Sequence, residues 1–575
     1  MNKSIYSFGI LFMLFSVLLY SIQAQNKNEF TNPILAGFHP DPSICKVGSD
    51  YYIVNSTFAY FPGIPVFHSK DLVNWKLIGH VLNRPEQLNL NGFGVSRGIF
   101  APAIRYHKNI FYVTCTLVDG GGNFIVWSKD PKGPWSNPTW LPEINGIDPS
   151  LFFDDNGKVY LTYNSDAPDN KPLYEGHRTI RIVEFDINNL KVLTKPEILI
   201  NGGVDISKKP VWIEGPHIYK IKGTYYLAAA EGGTAEDHSE VIFKSEKVDG
   251  PYVPYKNNPI LTQRNLDLNR KYPVTCTGHA DLFQTDKGDW WAVFLGCRPY
   301  EPFEKNYYNT GRETFLAPVK WIEGAEGKGW PVINPDFKEV QYHYSLPIKP
   351  STGKVNIPYN GNFTFRDNFN KKELNPNWIF LGTPHEKWYS LKSKNGFLSI
   401  NVRLETCSGK MNPSLIARRQ AHSNGYGETA LLFNPKNKNE KAGLLIFQDE
   451  AHFYYLCKSK NGNDNVVQLY KSNTDSSSNN MEMIASQKLE EQNSGKELIL
   501  KIVTKGKDYA FYFGYNADNL QLLKENIDAT ILSINKAWGF TGNVYAMYAT
   551  SLGNPCNNVA HYDWFEYNGN DEVYK

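Results

Sequence analysis

The sequence has few cysteines, almost no net charge and no long amphipathic helix. Its seven cysteines include no C-x-x-C pair, so a zinc site is not indicated, and we expect buried free thiols with at most one disulfide. The 60 basic and 58 acidic residues give a formal net charge of +2, which favours neither nucleic acid nor an anionic membrane as a partner. These absences argue against nucleic-acid-binding proteins, zinc modules and helical bundles.

A long apolar run is also missing, apart from a short one at the N-terminus. Residues 1–24 have the pattern of a secretory signal peptide, because Lys3 supplies a positive charge and the apolar run of residues 10–20 is too short for a comfortable membrane span. The mature chain is then expected to begin at Gln25 and to have no membrane span. With no anchor or cell-wall sorting signal visible, we expect an exported protein in the periplasm rather than outside the cell. An uncleaved N-terminal anchor is the alternative.

Aromatic residues make up 14% of the chain, and many of them belong to a short pattern that returns five times. Each copy has a small or acidic head, a buried aliphatic residue, a turn and an aromatic-rich strand. The five heads are Asp41-Pro42-Ser43, Ala101-Pro102-Ala103, Asp148-Pro149-Ser150, Glu214-Gly215-Pro216 and Gly278-His279-Ala280. The aliphatic residues that align the copies are Ile44, Ile104, Leu151, Ile218 and Leu282, at intervals of 60, 47, 67 and 64 residues.

Repeats of this kind are typical of propeller blades, whose ~40–50-residue period is lengthened here by loops. The sequence therefore predicts an all-β protein with a five-bladed β-propeller over residues 25–345. The Pro- and Gly-rich residues 346–362 are expected to form a linker. Residues 363–575 contain further strand patterns and are predicted to form a β-sandwich.

The heads of the repeats point to a catalytic site. The first strand of every blade faces the propeller axis, so Asp41, Asp148 and Glu214 should meet at one end of that axis. Simple turns at the strand starts are the alternative. Paired carboxylates without a metal motif suit glycosidic bond hydrolysis, which needs a protonated acid and a second carboxylate as base or nucleophile. Glu214 lies one residue earlier than the Asp heads and is crowded by them, which should raise its pKa and suits the acid.

Several motifs resemble those of glycoside hydrolase family 43. In the propeller they are Gly37 to Ser43, Gly146 to Phe152, Glu214 to His217, Thr277 to Asp281 and Gly311 to Thr314. In the C-terminal part, Phe365 to Phe369, Phe540-Thr541-Gly542 and Tyr562 to Tyr567 resemble the concanavalin-like β-sandwich accessory domain of the same family. The resemblance runs in order across the propeller and extends into the sandwich.

The resemblance implies an inverting enzyme. Asp41 would be the general base that activates water, Glu214 the general acid, and Asp148 the residue that orients the acid and tunes its pKa. His279 matches an axial histidine beneath the sugar that in some members contacts a calcium ion through water, and no other cofactor is implied. Arg312 matches an arginine that contacts sugar hydroxyls. The alternatives are a structural role for the histidine and, for the arginine, an ion pair with the next residue or with a neighbouring blade.

Aromatic residues near the heads are candidates for the walls of the sugar pocket. Phe58, Phe61 and Phe100 lie beside inner strands and could stack on a pentose, although relatives often have Trp in place of Phe100. The loop of residues 168–177, with Tyr174 and Arg178 nearby, is a candidate for the leaving-group side. The segment after Phe540-Thr541-Gly542 is a candidate for closing the pocket, and ordinary sandwich core is the alternative there.

These observations predict an exo-acting glycoside hydrolase of plant hemicellulose oligosaccharides, such as fragments of xyloglucan, arabinoxylan or xylan. It would release α-L-arabinofuranosyl or β-D-xylosyl residues from non-reducing ends. We favour arabinofuranosidase with xylosidase side activity, and a main β-1,4-xylosidase activity is the alternative. Two further alternatives are a catalytically silent glycan-binding propeller and a retaining fructosidase that would use the first Asp as nucleophile.

Overall fold

The structure is a computed structural model that describes residues 28–349, 357–473, 480–493 and 495–575. The predicted signal peptide and part of the predicted linker lie outside the described residues. Strands dominate the described part, and its one α-helix is Ile534–Ala537. Short 3-10 helices are Pro168–Asn170, Ile206–Lys208, Phe303–Lys305, Glu491–Asn493, Ala529–Leu532 and Glu572–Tyr574. None of these helices is long and apolar enough to cross a membrane.

Within the described residues, five antiparallel sheets form a β-propeller, which confirms the prediction from the repeats. From the axis outwards, the first strands are Ser43–Val47, Ala103–His107, Ile147–Phe153, Glu214–Ile221 and Thr275–Gln284. The second strands are Asp50–Val54, Ile110–Val118, Val159–Asp166, Thr224–Glu231 and Trp290–Cys297. The third strands are Gly63–Ser69, Gly122–Ser128, Arg178–Asp186, Ser239–Ser245 and Glu313–Ile322, and the outer strands are Lys76–Leu82, Thr139–Trp140, Lys191–Val192, Val253–Pro254 and Trp330–Ile333.

The propeller is closed by contacts between its inner strands and by one strand pair outside the ring. Each inner strand contacts the inner strands of the neighbouring blades, and that of the fifth blade contacts that of the first. Outside the ring, the N-terminal strand Glu29–Thr31 pairs with His343–Ser345 beyond the fifth blade. Three short strands, Gly98–Ile99, Glu197–Asn201 and Leu261–Thr262, add to the second, third and fourth blades.

The C-terminal part is the predicted β-sandwich of two sheets. One sheet has the order Tyr389–Ser390, Leu398–Asn401, Val559–Gly569, Asn424–Leu432, Leu498–Lys505, Asp508–Gly514 and Gln521–Asp528, with Thr364–Asp367 also paired to Val559–Gly569. The other has the order Met481–Lys488, Asp464–Ser472, His452–Asn461, Lys441–Asp449, Val544–Thr550, Ser414–Arg419, Ile379–Leu381 and Tyr60–Phe61. The inner faces of both sheets pack into one apolar core.

The last strand of that second sheet, Tyr60–Phe61, comes from the first propeller blade. Phe61 pairs with Phe380, and its side chain is 5% exposed in the core shared by the two domains. This placement corrects the hypothesis that Phe61 lines the sugar pocket. Its ring packs in the core at the domain junction, because the strand Tyr60–Phe61 adds to the edge of the sandwich sheet.

Two glycines bring the domains together next to the propeller axis. A Cβ atom on Gly311 would lie 2.6 Å from the backbone nitrogen of Gly542, and one on Gly542 would lie 2.3 Å from the carbonyl oxygen of Thr310. The two backbones therefore touch, and only glycine permits this approach. The contact places Phe540 of the sandwich beside Arg312 of the propeller.

A buried arginine links the same region to the C-terminus. Arg298 Nε donates to Glu313 Oε2 at 2.6 Å, and its Nη1 donates to Asp571 Oδ2 at 3.0 Å. Its Nη2 also donates to the carbonyl oxygen of Ala421 at 2.7 Å. Since Glu313 is occupied by Arg298, the expected alternative of an ion pair between Arg312 and the next residue is not what the structure shows.

Polar side chains also fill the axis below the heads. One residue from each blade takes part, namely Ser43, Arg105, Ser150, His217 and Asp281. Arg105 Nη1 and the Ser43 hydroxyl each donate to Asp281 Oδ2 at 2.8 Å. Burial alone would raise the pKa of Asp281, but Arg105 and its hydrogen-bond donors hold that pKa at about 2. The cluster is thus a satisfied, ionised network that ties the five inner strands together.

Candidate active site

In four blades, one residue of the head has the left-handed backbone conformation. The φ angles are 50° at Asp41, 57° at Asp148, 58° at Gly215 and 53° at His279. All four residues lie three positions before the aligned aliphatic residue of their blade. Left-handed backbone is costly for residues other than glycine, and it is often found at functional sites. The repeat therefore places three polar side chains, two carboxylates and an imidazole, at equivalent points around the axis.

In the fourth blade this position is occupied by a glycine, and the carboxylate comes one residue earlier. A Cβ atom on Gly215 would lie 2.8 Å from the ring of His279, so a side chain would clash there. Glu214 pairs with Ala230, and the ladder shifts register immediately afterwards. The Gly215 N–H donates to Asp148 Oδ2 at 3.0 Å. The one-residue offset of Glu214 is thus a bulge that makes room for the histidine and links Asp148 to the backbone beside Glu214.

Asp41 is 6% exposed and is held from two sides. The Ser56 hydroxyl donates to its Oδ2 at 2.6 Å, and Arg312 Nη1 lies 3.5 Å from its Oδ1. The side-chain amide of Asn55 donates to the carbonyl oxygens of His39 and Pro40 at 3.0 Å, which fixes the backbone just before Asp41. Asp41 therefore has a defined orientation before any substrate binds.

The electrostatics of the three carboxylates differ from those of an ordinary surface cluster. Burial raises the pKa of Glu214 well above its usual value, and the charges of Asp148 and Asp41 raise it further, while Arg312 opposes the rise. Burial also raises the pKa of Asp148, and His279 opposes that rise. A buried carboxyl with a raised pKa keeps its proton near neutral pH, which is the property that a general acid needs.

A cavity of about 10 Å³ at the axis is lined by Asp41, Asp148 and His279 among others. It has room for about one water molecule and none for a sugar ring, so a sugar would lie above it, toward the loops. In the described ranges, no group of three or more His, Cys, Asp and Glu side chains is arranged to hold a metal ion. The side chains therefore do not fit direct protein ligation of calcium. Contact with calcium through water at His279 remains a prediction.

An aromatic wall stands on the Asp41 side of the site. The ring centroids of Phe58 and Phe100 are 5.5 Å apart, and the ring of Phe540 lies 5.9 Å from the first and 5.6 Å from the second. The guanidinium carbon of Arg312 lies 4.7 Å from the Phe540 centroid. Phe58 is fully buried behind the other two rings, whereas Phe100 and Phe540 are partly exposed. Two of the three predicted wall residues therefore lie together, and the sandwich supplies the third ring.

Three residues at the site are not predicted from the sequence, namely Ser56, Trp212 and Phe540. Ser56 holds Asp41, and Phe540 completes the aromatic wall. Trp212 lies two residues before Glu214, so proximity to the head is a signal that could identify it. Arg178, predicted near the leaving-group loop, places its guanidinium over the Trp212 ring. Phe540 belongs to a family motif, but its contact with the propeller depends on how the domains dock.

Comparison with known proteins agrees with this geometry. Residues 30–331 match the profile of Glycosyl hydrolases family 43, and residues 366–568 match that of the Beta xylosidase C-terminal Concanavalin A-like domain. The chain is 36% identical over 563 residues to the non-reducing end alpha-L-arabinofuranosidase BoGH43B of Bacteroides ovatus, covering 97% of this chain and 98% of that protein. It is 36% identical over 545 residues to a xylosidase/arabinosidase of Butyrivibrio fibrisolvens, covering 93% and 98%.

Among solved structures, Bacteroides ovatus Xyloglucan PUL GH43B superimposes with a TM-score of 0.82 at 37% identity, covering 94% of this chain and 99% of that one. Both matched profiles follow the boundary between propeller and sandwich. The similarity therefore extends over both domains and includes the strands that carry the three carboxylates. The chain belongs to glycoside hydrolase family 43.

Proposed function

We propose that the protein is an exo-acting, inverting glycoside hydrolase that releases non-reducing-end pentosyl residues from hemicellulose oligosaccharides. The observation that carries the proposal is the contrast between Glu214 and Asp41. Glu214 is buried with a raised pKa, and Asp41 is oriented by Ser56 and faces Arg312. One carboxyl is suited to give a proton and the other to accept one.

In the proposed reaction, Asp41 takes a proton from a water molecule as the water oxygen attacks the anomeric carbon. Glu214 gives its proton to the glycosidic oxygen, and the bond between that oxygen and the anomeric carbon breaks. This single displacement inverts the anomeric configuration. Asp148 accepts a hydrogen bond from Gly215, and its charge helps to keep Glu214 protonated before the step.

The closed side of the site supports exo action on a small sugar. Phe540 from the sandwich covers the aromatic wall, so a polysaccharide chain would not pass on that side. We propose α-L-arabinofuranosyl as the main sugar, with β-D-xylosyl as a second substrate. The names of the relatives, an arabinofuranosidase and a xylosidase/arabinosidase, support pentosyl substrates, and the name of the solved structure supports xyloglucan fragments.

The test compares hydrolysis of nitrophenyl α-L-arabinofuranoside and nitrophenyl β-D-xyloside, followed by proton NMR of the first product. We expect faster release from the arabinofuranoside and an inverted product. A retained configuration would contradict the proposed roles of Asp41 and Glu214. No hydrolysis by the parent protein would favour a silent glycan-binding propeller.

We further propose that the protein is exported to the periplasm, on the basis of the pattern in residues 1–24. Cell fractionation with N-terminal sequencing tests this proposal. A mature chain that begins at Gln25 in the periplasmic fraction is expected, and an uncleaved chain in the membrane fraction would contradict it.

A further inference from the structure

A second cleft, of about 360 Å³, lies between loops of the third blade and Trp212, which precedes the inner strand of the fourth blade by two residues. Its lining includes Asp166, Tyr174, Glu175, His177, Arg178 and Trp212. Its volume is at the lower end of the ~300–1,000 Å³ found for ligand pockets. We propose that this cleft binds the leaving group, and that it selects a neutral oligosaccharide over one that carries a uronic acid. The inference rests on the proposed function.

The general acid Glu214 indicates on which side of the site the leaving group must lie. The aromatic wall beside Asp41 is built by the first and second blades and the sandwich, whereas the cleft is built by loops of the third and fourth blades. Trp212 is part of the cleft, lies two residues before Glu214, and lowers the pKa of Glu214 as a hydrogen-bond donor. Because a general acid protonates the oxygen that departs, the leaving group must lie on the side of Glu214.

The aromatic ring in this cleft is held rigidly. Trp212 has a left-handed backbone, with φ of 57°, and its backbone N–H donates to the carbonyl oxygen of Gly176 at 2.8 Å. The guanidinium carbon of Arg178 lies 4.7 Å from the indole centroid. Arg178 is itself fixed by a hydrogen bond from its Nε to Asn164 Oδ1 at 3.1 Å and by an ion pair with Asp166. The partly exposed indole is therefore a preorganised surface on which a sugar ring can stack.

The charges of the cleft leave one uncompensated carboxylate. Asp166 is neutralised by Arg178. The Leu173 N–H donates to His177 Nδ1 at 3.1 Å, and His177 Nε2 lies 2.8 Å from Asn201 Oδ1, so both ring nitrogens have partners outside the charged groups of the cleft. Glu175 is exposed and makes no ion pair with any side chain in the part of the chain that the structure describes. An anionic sugar in the cleft would thus meet a like charge, whereas a neutral one would not.

The first experiment measures how the rate depends on the length of the leaving group. Rates are compared on a methyl pentoside, a neutral disaccharide and a neutral trisaccharide with the same terminal pentose. Trp212→Ala is expected to lower kcat/KM on the trisaccharide about 5- to 10-fold more than on the methyl pentoside, because the stacking surface is lost. Trp140→Ala, on the outer strand of the second blade, is the matched control and should lower all three rates equally or not at all.

The three substrates separate the competing explanations. A methyl leaving group needs the acid but barely enters the cleft. Equal losses on all three substrates would mean that Trp212 acts only through Glu214, and this would overturn the proposed subsite. If the parent protein hydrolyses none of them, the proposed function itself has failed.

The second experiment tests the charge of the cleft. The substrates are two oligosaccharides of equal length, one neutral and one with a uronic acid in the leaving group. The parent should prefer the neutral one, and Glu175→Gln should reduce that preference about 2- to 5-fold, as expected for an exposed charge pair. Glu197→Gln, an exposed substitution in a strand outside the cleft, should leave the preference unchanged. A preference that does not respond to Glu175→Gln would contradict the proposed selection against uronic acids.

Discussion

The propeller axis contains two buried polar clusters with opposite properties. In the lower one, Asp281 is matched by Arg105 and by hydroxyl donors, and its pKa is held at about 2. In the upper one, Glu214 shares its surroundings with two other carboxylates, and burial raises its pKa. The same inner strands supply both clusters. In the fifth blade, for example, His279 beside the upper cluster and Asp281 in the lower cluster are only two residues apart. Burial with a matched partner gives a stable ion pair, whereas burial among like charges gives a carboxyl that can deliver a proton.

The largest expected effect comes from removing the upper acid. Glu214→Gln should lower kcat about 10²- to 10⁴-fold on oligosaccharides, whose leaving oxygen needs a proton, and less on nitrophenyl pentosides. The thermal unfolding temperature should stay close to that of the parent, because the lower cluster is untouched. Glu184→Gln, which affects only an exposed ion pair with Lys158, is the control and should keep the parent rate. Full activity in Glu214→Gln would remove the catalytic distinction between the two clusters.

The second effect comes from breaking the lower cluster. Asp281→Asn leaves the Arg105 charge buried without its partner, which should destabilise the protein by about 3–5 kcal/mol in urea unfolding. Asp464→Asn, which breaks an exposed ion pair with Lys488, should cost only about 0–1 kcal/mol. If the two substitutions had equal effects, the lower cluster would not be the stabilising element that its burial and hydrogen bonds indicate.

The meeting of the three carboxylates at the propeller axis could be predicted from the sequence. The heads Asp41, Asp148 and Glu214 recur at aligned positions, and the propeller brings aligned positions together. The offset of Glu214 can be seen in the sequence, but its cause cannot. A side chain at position 215 would clash with His279, and this is evident only once the fourth and fifth blades are placed side by side.

The contacts between the two domains could not be predicted from the sequence. No local pattern around Phe61 indicates that it pairs with the sandwich strand Ile379–Leu381. Likewise, Phe540 is more than 400 residues from Phe58 and Phe100. Contacts between the domains bring it to them, among them Gly311 against Gly542 and the Phe540 N–H donating to Ser96 Oγ at 2.9 Å. Pairing across such distances depends on domain docking rather than on local pattern.

The third effect is the response of the lower cluster to acid. The folded pKa of Asp281, about 2, lies below the ~3.9 of an unfolded aspartate, so the folded state prefers the ionised form. This preference is fully present above about pH 4 and is lost as the pH falls toward 2, at a cost of about 2–3 kcal/mol. Urea unfolding at a series of acid pH values measures it. Asp281→Asn should have a shallower decline over this range, and a decline equal to the parent's would assign the acid sensitivity to other groups.

The smallest effect concerns the tuning of the upper cluster. The negative charge of Asp148 helps to raise the pKa of Glu214, so Asp148→Asn should lower that pKa. Because only protonated Glu214 can give its proton, the loss of kcat/KM on the alkaline side should begin at a lower pH than in the parent. A pH profile on an oligosaccharide measures this shift, and the nitrophenyl pentoside, which depends less on the acid, is the comparison. An alkaline limb that stays in place would mean that Asp148 orients Glu214 without tuning its proton affinity, and the contrast with Asp281 would then rest on burial alone.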